Sequence, residues 1–310
     1  MEEFKLNTAV AFCVFNRLDK AKEVFQQIRG AKPPRLYIIA DGPRADRKDE
    51  KAKVEAVRTY IEQNVDWECT VYKNYAPENM GCGRRVSSGI GWVFETEEEA
   101  IILEDDCLPT PSFFRYCQEM LEHYRDNEDI LMISGNNPYS GYHSDTEPYF
   151  FTKMTFIWGW ATWRRTWKQY DFDLLSLPKN RKNPVFRKTF PLFAYWVYMA
   201  EFETLYKHNY DTWDYQLLYQ GVLYNKLSII PAKNLIQNVG MGEESTHTGE
   251  APEWVDQEVS EMTFPLSFRE DIVWDQELDM KYFRYANRHG LIVKIKQMLG
   301  LDINKSIFSH

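Results

Sequence analysis

The sequence is poor in cysteine and has no cysteine pairing motif. It has five cysteines, an odd number, and none forms a CxxC pair, which argues against a disulfide framework and against a zinc ribbon. Four of the five lie in or beside apolar segments, so we expect reduced, mostly buried thiols in a cytoplasmic protein. They are Cys13, Cys69, Cys82, Cys107 and Cys117.

Long hydrophobic runs, basic blocks and phosphate-binding motifs are also missing. The longest apolar stretch, residues 190–202, is well short of the roughly 20 residues of a membrane-spanning helix. The charged first residues lack a small-residue cleavage site, and no signal peptide is expected. A net charge of −9 without a basic cluster disfavours a nucleic-acid binder. The absence of GxGxxG after the first predicted strand and of a P-loop disfavours both of those nucleotide sites.

What the sequence does contain is an alternation of buried strands with amphipathic helices. Near-continuous apolar runs, typical of strands buried on both faces, cover residues 8–15, 36–40 and 100–103. Helical spacing of apolar residues predicts helices between them over residues 19–30, 48–63 and 84–94. This alternation predicts an α/β fold with a Rossmann-like, mostly parallel sheet flanked by helices on both faces.

The composition changes along the chain and divides it into three parts. Residues 1–140 form the regular α/β half. Residues 141–279 are rich in aromatic side chains, which make up 15% of the whole sequence, and we expect this half to pack on the same sheet. Residues 280–310 contain a predicted amphipathic C-terminal helix. Aromatic excess is often core, but flat rings also stack on sugars and bases.

Polar side chains follow the predicted strands at the points where those strands end. In parallel sheets, ligands bind at the carboxyl ends of the strands. Together these exits outline a crevice lined by carboxylates and an arginine. The residues concerned are Asn16, Arg17, Asp41, Glu104, Asp105 and Asp106.

The run IILEDD places three consecutive carboxylates at the end of a buried strand. Because side chains alternate along a strand, Glu104 and Asp106 should lean to one side and Asp105 to the other, one side reaching a divalent metal and the other a ribose hydroxyl. Unpaired carboxylates this close repel one another and raise a pKa, and a bound Mg²⁺ or Mn²⁺ removes that conflict. The alternative is a solvated turn of helix-capping acids.

Taken in order, four segments resemble the nucleotide-sugar half of GT-A-fold glycosyltransferases. They are the first strand with Asn16 and Arg17, then LYIIADG, NMGCGRRVSSGIGWVF and IILEDD. The acidic triplet resembles the DxD motif of that fold. The segments are most similar to bacterial family-2-like transferases and to the N-acetylglucosaminyltransferase I group, and the resemblance spans roughly residues 8–250.

The resemblance implies a nucleotide-sugar donor, with a UDP-sugar favoured, and Mn²⁺ or Mg²⁺ as cofactor. It implies that Asn16, Arg17 and Asp41 lie near the base and ribose of the donor. Asp106 would hold the metal, and Asp105 would contact the ribose or the metal, with Glu104 beside them at the donor site.

Two arginines open the predicted helix at residues 84–94. Arg84 and Arg85 would combine two cations with the free backbone N–H groups of a helix N-terminus, which suits the donor diphosphate. A surface N-terminal turn is the alternative for this pair.

The aromatic segment beginning at Trp158 carries a regular tryptophan spacing. Trp160, Trp163 and Trp167 stand at i, i+3 and i+7, which predicts one helix face. By spacing alone such a stripe is more often core. The segment resembles the GWATW-type motif of the bacterial relatives, which implies that Trp160 forms a wall of the sugar pocket.

Two further segments bear on catalysis and metal binding. The stretch from Asp211 to Asp214 resembles the tryptophan- and aspartate-containing segment that supplies the catalytic base of the N-acetylglucosaminyltransferase I group, which implies Asp214. That group has two adjacent acids, so Asp211 stays an alternative, as does a structural role. His247, in the glycine-containing loop after Asn238, is the candidate second metal ligand.

These features together predict an inverting hexosyl- or N-acetylhexosaminyltransferase of surface polysaccharide synthesis, acting on a hydroxyl of a glycan or lipid-linked glycan acceptor. The alternatives are a metal-dependent sugar nucleotidyltransferase and a non-catalytic carbohydrate-binding protein. Peripheral contact with the inner face of the membrane is a weaker hypothesis for the amphipathic segment 285–301. Ordinary packing of that segment is its alternative.

Overall fold

The structure is a computed structural model that describes residues 4–139, 147–208, 210–240 and 258–284. The first half alternates strands and helices as predicted: β1 Ala9–Val14, α1 Leu18–Ala31, β2 Arg35–Ala40, α2 Glu50–Asn64, β3 Thr70–Tyr75, α3 Cys82–Thr96, β4 Glu99–Glu104, β5 Cys107–Pro109, α4 Pro111–His123 and β6 Ile130–Ser134. The second half contains β7 Tyr149–Thr152, β8 Trp160–Trp163, α5 Arg164–Trp167, α6 Leu177–Asn180, α7 Pro184–Thr189, α8 Leu192–Tyr206, α9 Asp214–Leu223, β9 Leu227–Pro231 and β10 Ile236–Asn238.

Strands from both halves of the chain form one eight-stranded sheet in the order β3-β2-β1-β4-β8-β6-β9-β7. β1 pairs in parallel with β2 and β4, β2 with β3, and β6 with β9. β8 is antiparallel to both of its neighbours, and β7 is antiparallel to β9. Six strands therefore run in one direction, and the predicted α/β class with a mostly parallel sheet is confirmed.

Both faces of the sheet are buried, which explains the continuous apolar strands. Val10, Phe12 and Val14 of β1 face a core shared with α1, α2 and α4, whereas Ala9 and Ala11 face a core shared with α3. Because successive side chains of a strand point to opposite faces, each strand needs apolar residues at every position.

The tryptophan-rich segment is a strand and not the helix that its spacing predicted. Trp160–Trp163 is β8, and helix α5 begins at Arg164. β8 fills the gap between β4 and β6, with Trp160 opposite Ile102 and Ser134. The expected single helix face is therefore wrong: Trp163 lies in the core on the α4 face, and Trp160 and Trp167 lie in the core on the α3 face.

Helices α6 to α9 surround a third, aromatic-rich core that holds Phe186, Phe202 and Tyr219. The short ribbon of β5 and β10 lies at the end of β4, and Val239 donates its backbone N–H to the Asp106 carbonyl at 2.8 Å. In the described ranges, no helix has the length and apolar character needed to cross a bilayer.

All five cysteines are free thiols, as the sequence predicted. Cys13, Cys107 and Cys117 are buried and Cys69 is partly buried, but Cys82 is exposed at the start of α3. The expectation of mostly buried thiols holds except at Cys82.

Substitution by alanine should have opposite effects on the free energy of unfolding at two glycines of α3. A Cβ at Gly89 would lie 2.3 Å from Ile39 Cγ2 of β2, whereas a Cβ at Gly91 would lie 3.5 Å from Trp167 Nε1, an ordinary contact. We expect Gly89→Ala to lower the free energy of unfolding by about 1–3 kcal/mol through overpacking. Gly91→Ala should raise it by about 0.5–1 kcal/mol, since alanine favours the helix. Urea unfolding of both variants measures this, and equal effects would contradict the described contact of α3 with β2.

Candidate functional site

The carboxyl ends of β1, β2 and β4 meet at one edge of the sheet and bring the predicted polar exits together. β1 lies between β2 and β4, so Arg17 after β1 reaches the acidic end of β4. Its guanidinium bonds to Asp105 Oδ1 and, at 2.9 Å, to Asp106 Oδ2. The backbone N–H of Phe15 donates to Asp105 Oδ2 at 3.2 Å. One arginine thus bonds to two neighbouring carboxylates and offsets one of their two negative charges.

The expected separation of Asp105 from Asp106 is wrong, because one nitrogen of Arg17 contacts both. β4 ends at Glu104, and residues 105–106 form a turn in which strand alternation no longer applies. Asp105 is almost fully buried, and this burial raises its pKa to about 6 although the Arg17 charge acts in the opposite direction. Asp106 is more accessible, with its side chain 21% exposed.

Glu104 occupies a different environment from its two neighbours. Among the described residues no side chain or backbone group bonds to its carboxyl. Burial, together with the charges of Asp106, Asp105 and Asp214, raises its pKa to about 8. Glu104 therefore keeps its proton at neutral pH, which removes one of the three negative charges from this edge of the sheet.

Asn16 and Asp41 lie at the same edge but bond to the protein's own groups. The Asn16 amide donates to Glu50 Oε1 at 2.9 Å, and Glu50 also bonds to Arg44. No sequence pattern predicted that Glu50, at the start of a charged helix, is buried at this edge. The contact of Asn16 and Asp41 with the base and ribose of a donor stays a prediction.

Asp41 fixes the loop that leads into α3. Its Oδ1 accepts from the backbone N–H groups of Gly42 at 2.8 Å and Met80 at 2.9 Å, and its Oδ2 accepts from the Asn79 amide at 2.9 Å. Burial raises the pKa of Asp41, and these backbone donors oppose the shift. A Cβ at Gly42 would lie 2.4 Å from the Glu78 backbone, so glycine is needed where this loop passes β2.

The two arginines of α3 diverge. Arg85 is buried and donates to the backbone carbonyl and side-chain oxygen of Asn74 at 2.9 and 3.0 Å. Arg84 is 63% exposed, and its guanidinium lies over the Phe172 ring. Of the pair, Arg84 is therefore the cation available to a ligand.

The N-terminus of α3 is not free, which corrects the expectation for this pair. Asp211 Oδ2 accepts from the Cys82 N–H at 2.9 Å, and Asp211 Oδ1 accepts from the Gly83 N–H at 2.8 Å. This cap was not predicted from the sequence. A signal was present, since Gly81 at the N-cap position has no side-chain oxygen, and the helix needs an acceptor from elsewhere in the chain.

Asp214 begins α9, three residues after the capping Asp211. The Thr212 hydroxyl bonds to Asp214 Oδ1, and Trp213 stacks on Trp160 with ring centroids 5.5 Å apart. Because Asp214 is among the charges that raise the pKa of Glu104, its carboxylate lies near the acidic end of β4. Asp211 is engaged in capping and Asp214 is not, which favours Asp214 as the candidate base.

Trp160 is fully buried and lines no open surface in this structure. Its ring packs against Trp213 and Trp167, with which it shares the core on the α3 face. Gly159, directly before β8, has φ +56° and faces Ile236, whose Cδ1 would lie 2.4 Å from an added Cβ. Trp160 therefore borders the site through Trp213.

A cleft of about 320 Å³ opens beside Asp211, the residue that caps α3. Its lining combines cationic, acidic, aromatic and apolar side chains from the start of α3, the segment after α5, the end of α8, and the residues before and within α9. The lining residues are Met80, Arg84, Phe172, Leu205, His208, Tyr210, Asp211 and Gln216. The cleft is large enough for a small sugar-sized ligand.

Metal binding at Asp106 stays a prediction, and a divalent metal there would take its remaining ligands from elsewhere. In the described part of the chain no three acidic, histidine or cysteine side chains converge on one point. Mg²⁺, however, usually keeps several waters and takes one or two carboxylates plus substrate phosphates. The Cys107 thiol lies 3.5 Å from Asp106 Oδ1. A Cβ at Gly240 would lie 2.2 Å from Asp106 Oδ2, so the backbone at Gly240, which precedes His247 in the sequence, passes against this carboxylate. His247 itself lies outside the described residues.

The sequence matches no protein-family model and no curated protein. Among solved structures, it is similar to a galactosyltransferase, LgtC, in complex with donor and acceptor sugar analogues, with a TM-score of 0.35, 13% identity and coverage of 69% of this chain and 70% of that chain. It is also similar to an apo UDP-glucose pyrophosphorylase, with a TM-score of 0.37, 11% identity and coverage of 74% of this chain and 93% of that chain. An active-site mutant of LgtC has a TM-score of 0.34 and 14% identity, and the match covers 69% of this chain and 69% of that chain. The resemblance to bacterial family-2-like transferases and to the N-acetylglucosaminyltransferase I group stays a prediction.

The raised pKa of Glu104 predicts how stability depends on pH. Between the pKa of an ordinary glutamate, 4.5, and about 8, the folded chain holds a proton that the unfolded chain has released. The free energy of unfolding should therefore fall as pH rises through this window. Glu104→Gln should remove the fall and exceed the wild type above pH 8 by on the order of 5 kcal/mol.

Urea unfolding in EDTA at several pH values measures this effect. The matched control is Glu78→Gln, which removes an exposed carboxylate at the same edge and should leave the slope with pH unchanged. Parallel slopes for the wild type and Glu104→Gln would show that Glu104 is ionised in the folded protein.

Proposed function

We propose that this chain transfers a sugar from a nucleotide-sugar donor, with a UDP-sugar favoured, to a hydroxyl of a glycan or lipid-linked glycan, with inversion at the anomeric carbon. The observation that carries the proposal is the acidic end of β4, where Arg17 bonds to Asp105 and Asp106 and where the charge of Asp214 acts on Glu104. This arrangement supports a site at which a metal cation and the diphosphate of a donor would lie near the candidate base.

In the proposed reaction, Asp214 accepts the proton of the acceptor hydroxyl as that oxygen attacks the anomeric carbon. The bond from the anomeric carbon to the diphosphate oxygen breaks, and the nucleoside diphosphate leaves with the bonding pair. Asp214 is free for this role because its neighbour Asp211 holds the α3 N-terminus. A single base without a covalent nucleophile gives inversion.

Negative charge develops on the leaving diphosphate and must be stabilised there. Arg84 is exposed and lines the cleft, so its guanidinium can pair with a phosphate oxygen. Asp106, with His247 as the predicted second ligand, would hold Mn²⁺ or Mg²⁺, which when bound supplies positive charge to the same phosphates. Arg17 fixes Asp106 and limits the carboxylate charge that the donor meets.

Substitution of the candidate base separates Asp214 from Asp211. We expect Asp214→Asn to lower kcat by about 10²–10⁴-fold with little change in the KM for the donor, since a general base contributes in this range. Asp211→Asn should cost stability through a weakened cap, up to about 1 kcal/mol, and leave most of kcat intact. Asp106→Asn should lower kcat at least as much as Asp214→Asn.

The measurement is release of nucleoside diphosphate, with the unfolding free energy of each variant determined in parallel. The assignment of the base reverses if Asp211→Asn loses most of its activity while remaining folded and Asp214→Asn does not.

The proposed reaction itself is tested by donor binding, product identity and stereochemistry. A thermal-shift screen of nucleotide sugars with and without Mn²⁺ should show stabilisation by one donor class, and more of it with the metal, because a ligand that binds the folded state raises the midpoint. Hydrolysis of that donor should release nucleoside diphosphate, and NMR of the transfer product should show inverted configuration.

Other products would support the alternatives. Release of pyrophosphate from a nucleoside triphosphate and a sugar phosphate would indicate a nucleotidyltransferase. Binding of a glycan with no nucleotide released from any donor would indicate a carbohydrate-binding protein. A product that retains the configuration of the donor would exclude Asp214 as a single base.

A further inference from the structure

Helix α8 exposes apolar side chains at its N-terminal end. Leu192, Phe193 and Trp196 are 63%, 44% and 61% exposed. With 3.6 residues per turn, these three positions lie within an arc of about 100° on the helix surface. We call them the apolar face of α8. Clustered exposed apolar side chains of this size mark an interaction site rather than ordinary surface.

Basic side chains border this face. Residues 174–200 contain five lysines and arginines and no aspartate or glutamate, in a chain that has 46 acidic residues against 37 basic ones overall. All five are exposed, and we call them the basic segment: Lys179, Arg181, Lys182, Arg187 and Lys188.

The basic segment lies against the apolar face in space as well as in sequence. The Arg187 guanidinium lies 4.5 Å from the centroid of the Tyr195 ring and 5.7 Å from that of Trp196. The Tyr195 hydroxyl donates to the Arg181 carbonyl at 3.5 Å, which fixes residues 181 and 182 beside α8. Cations therefore flank the apolar face on the side of α6 and on that of α7.

Most of these cations have no internal counter-charge. Arg181 forms an ion pair with Glu203 of α8. Across the described ranges, no carboxylate lies within ion-pair distance of Lys179, Lys182, Arg187 or Lys188. Four positive charges are thus free to meet negative charge outside the protein.

We propose that the apolar face of α8 and the basic segment together form a docking surface for an anionic lipid bilayer. Tryptophan and tyrosine favour the bilayer interface, and lysine and arginine near the surface are attracted to anionic headgroups. An apolar anchor and a polybasic patch are the two signals that stable peripheral binding requires. The surface lies in a different part of the chain from residues 285–301 and does not depend on the proposed catalytic activity.

Two other occupants fit these observations less well. A second copy of this chain on a twofold axis would set the unpaired cations of both copies against each other. The other is a different protein. Lysine is depleted at protein–protein interfaces but is common on the polar face of segments that lie on membranes, and three of the four unpaired cations are lysines.

Vesicle co-sedimentation of the full chain tests the proposal. We expect binding to vesicles of phosphatidylcholine with phosphatidylglycerol, weak binding to phosphatidylcholine alone, and loss of binding at high salt, where charge attraction is screened. The double variant Phe193→Ala, Trp196→Ala should reduce the partition coefficient by about tenfold or more. Each lysine near an anionic surface contributes about fivefold, so Lys182→Glu with Lys188→Glu should reduce it by at least about 25-fold.

The matched control is Lys51→Glu with Lys53→Glu on α2, which makes the same change in net charge at exposed positions far along the sheet. It should bind like the wild type. A second measurement needs no disruptive variant: vesicles with brominated lipids should quench tryptophan fluorescence in the wild type, and Trp196→Phe should lose most of that quenching.

Several outcomes would overturn the proposal. One is a control that weakens binding as much as the basic-segment variant. Another is wild-type binding by the Phe193→Ala, Trp196→Ala variant together with loss of binding on deletion of residues 285–310. A third is a dimer in solution without lipid that the same double variant dissociates, since the face would then be an interface between copies.

Discussion

Negative charge at the end of β4 is the constraint that the rest of the site satisfies. Three consecutive carboxylates in a partly buried position repel each other and lose hydration, and both effects favour protonation. The protein offsets this in two ways: Arg17 bonds to Asp105 and Asp106, and Glu104 keeps its proton. The first depends on β1 lying directly beside β4, which places Arg17 at the mouth of β4. Asp106 is left as the accessible carboxylate.

The second half of the chain is fastened to this edge through a helix terminus. α3 begins at a glycine that cannot cap it, and Asp211 supplies the missing acceptor oxygens. Trp213 stacks on Trp160 of the central sheet. With a contact on each side, Asp214 is held in position relative to the acidic end of β4. An enzyme that joins two substrates needs this fixed relation between its base and its leaving-group site, because orientation supplies much of the rate.

Local sequence patterns predicted the fold class and the residues that meet at the strand ends. They did not predict the features that depend on contacts between distant residues. Strands buried on both faces are apolar throughout, and parallel strands end at one edge, so the fold class and the grouping of Arg17 with Asp105 followed from the residues. The cap of α3 joins Asp211 to Cys82, which lies 129 residues away in the sequence. No local pattern indicates which helix such an aspartate caps. The spacing of Trp160 and Trp163 suits a helix as well as a short strand, and pairing with β4 and β6 decides it.

Helix α8 connects the two surfaces for which functions are proposed. Its N-terminal end carries the apolar face, and Leu205 near its C-terminal end lines the cleft together with Asp211. Fifteen helical residues span about 22 Å, so a bilayer docked at Leu192 lies roughly that far from the cleft. An acceptor anchored in lipid would extend along α8 to reach Asp214, whereas a nucleotide sugar enters from water. The chain's overall negative charge repels an anionic bilayer, so the basic segment sets which side of the protein faces the membrane.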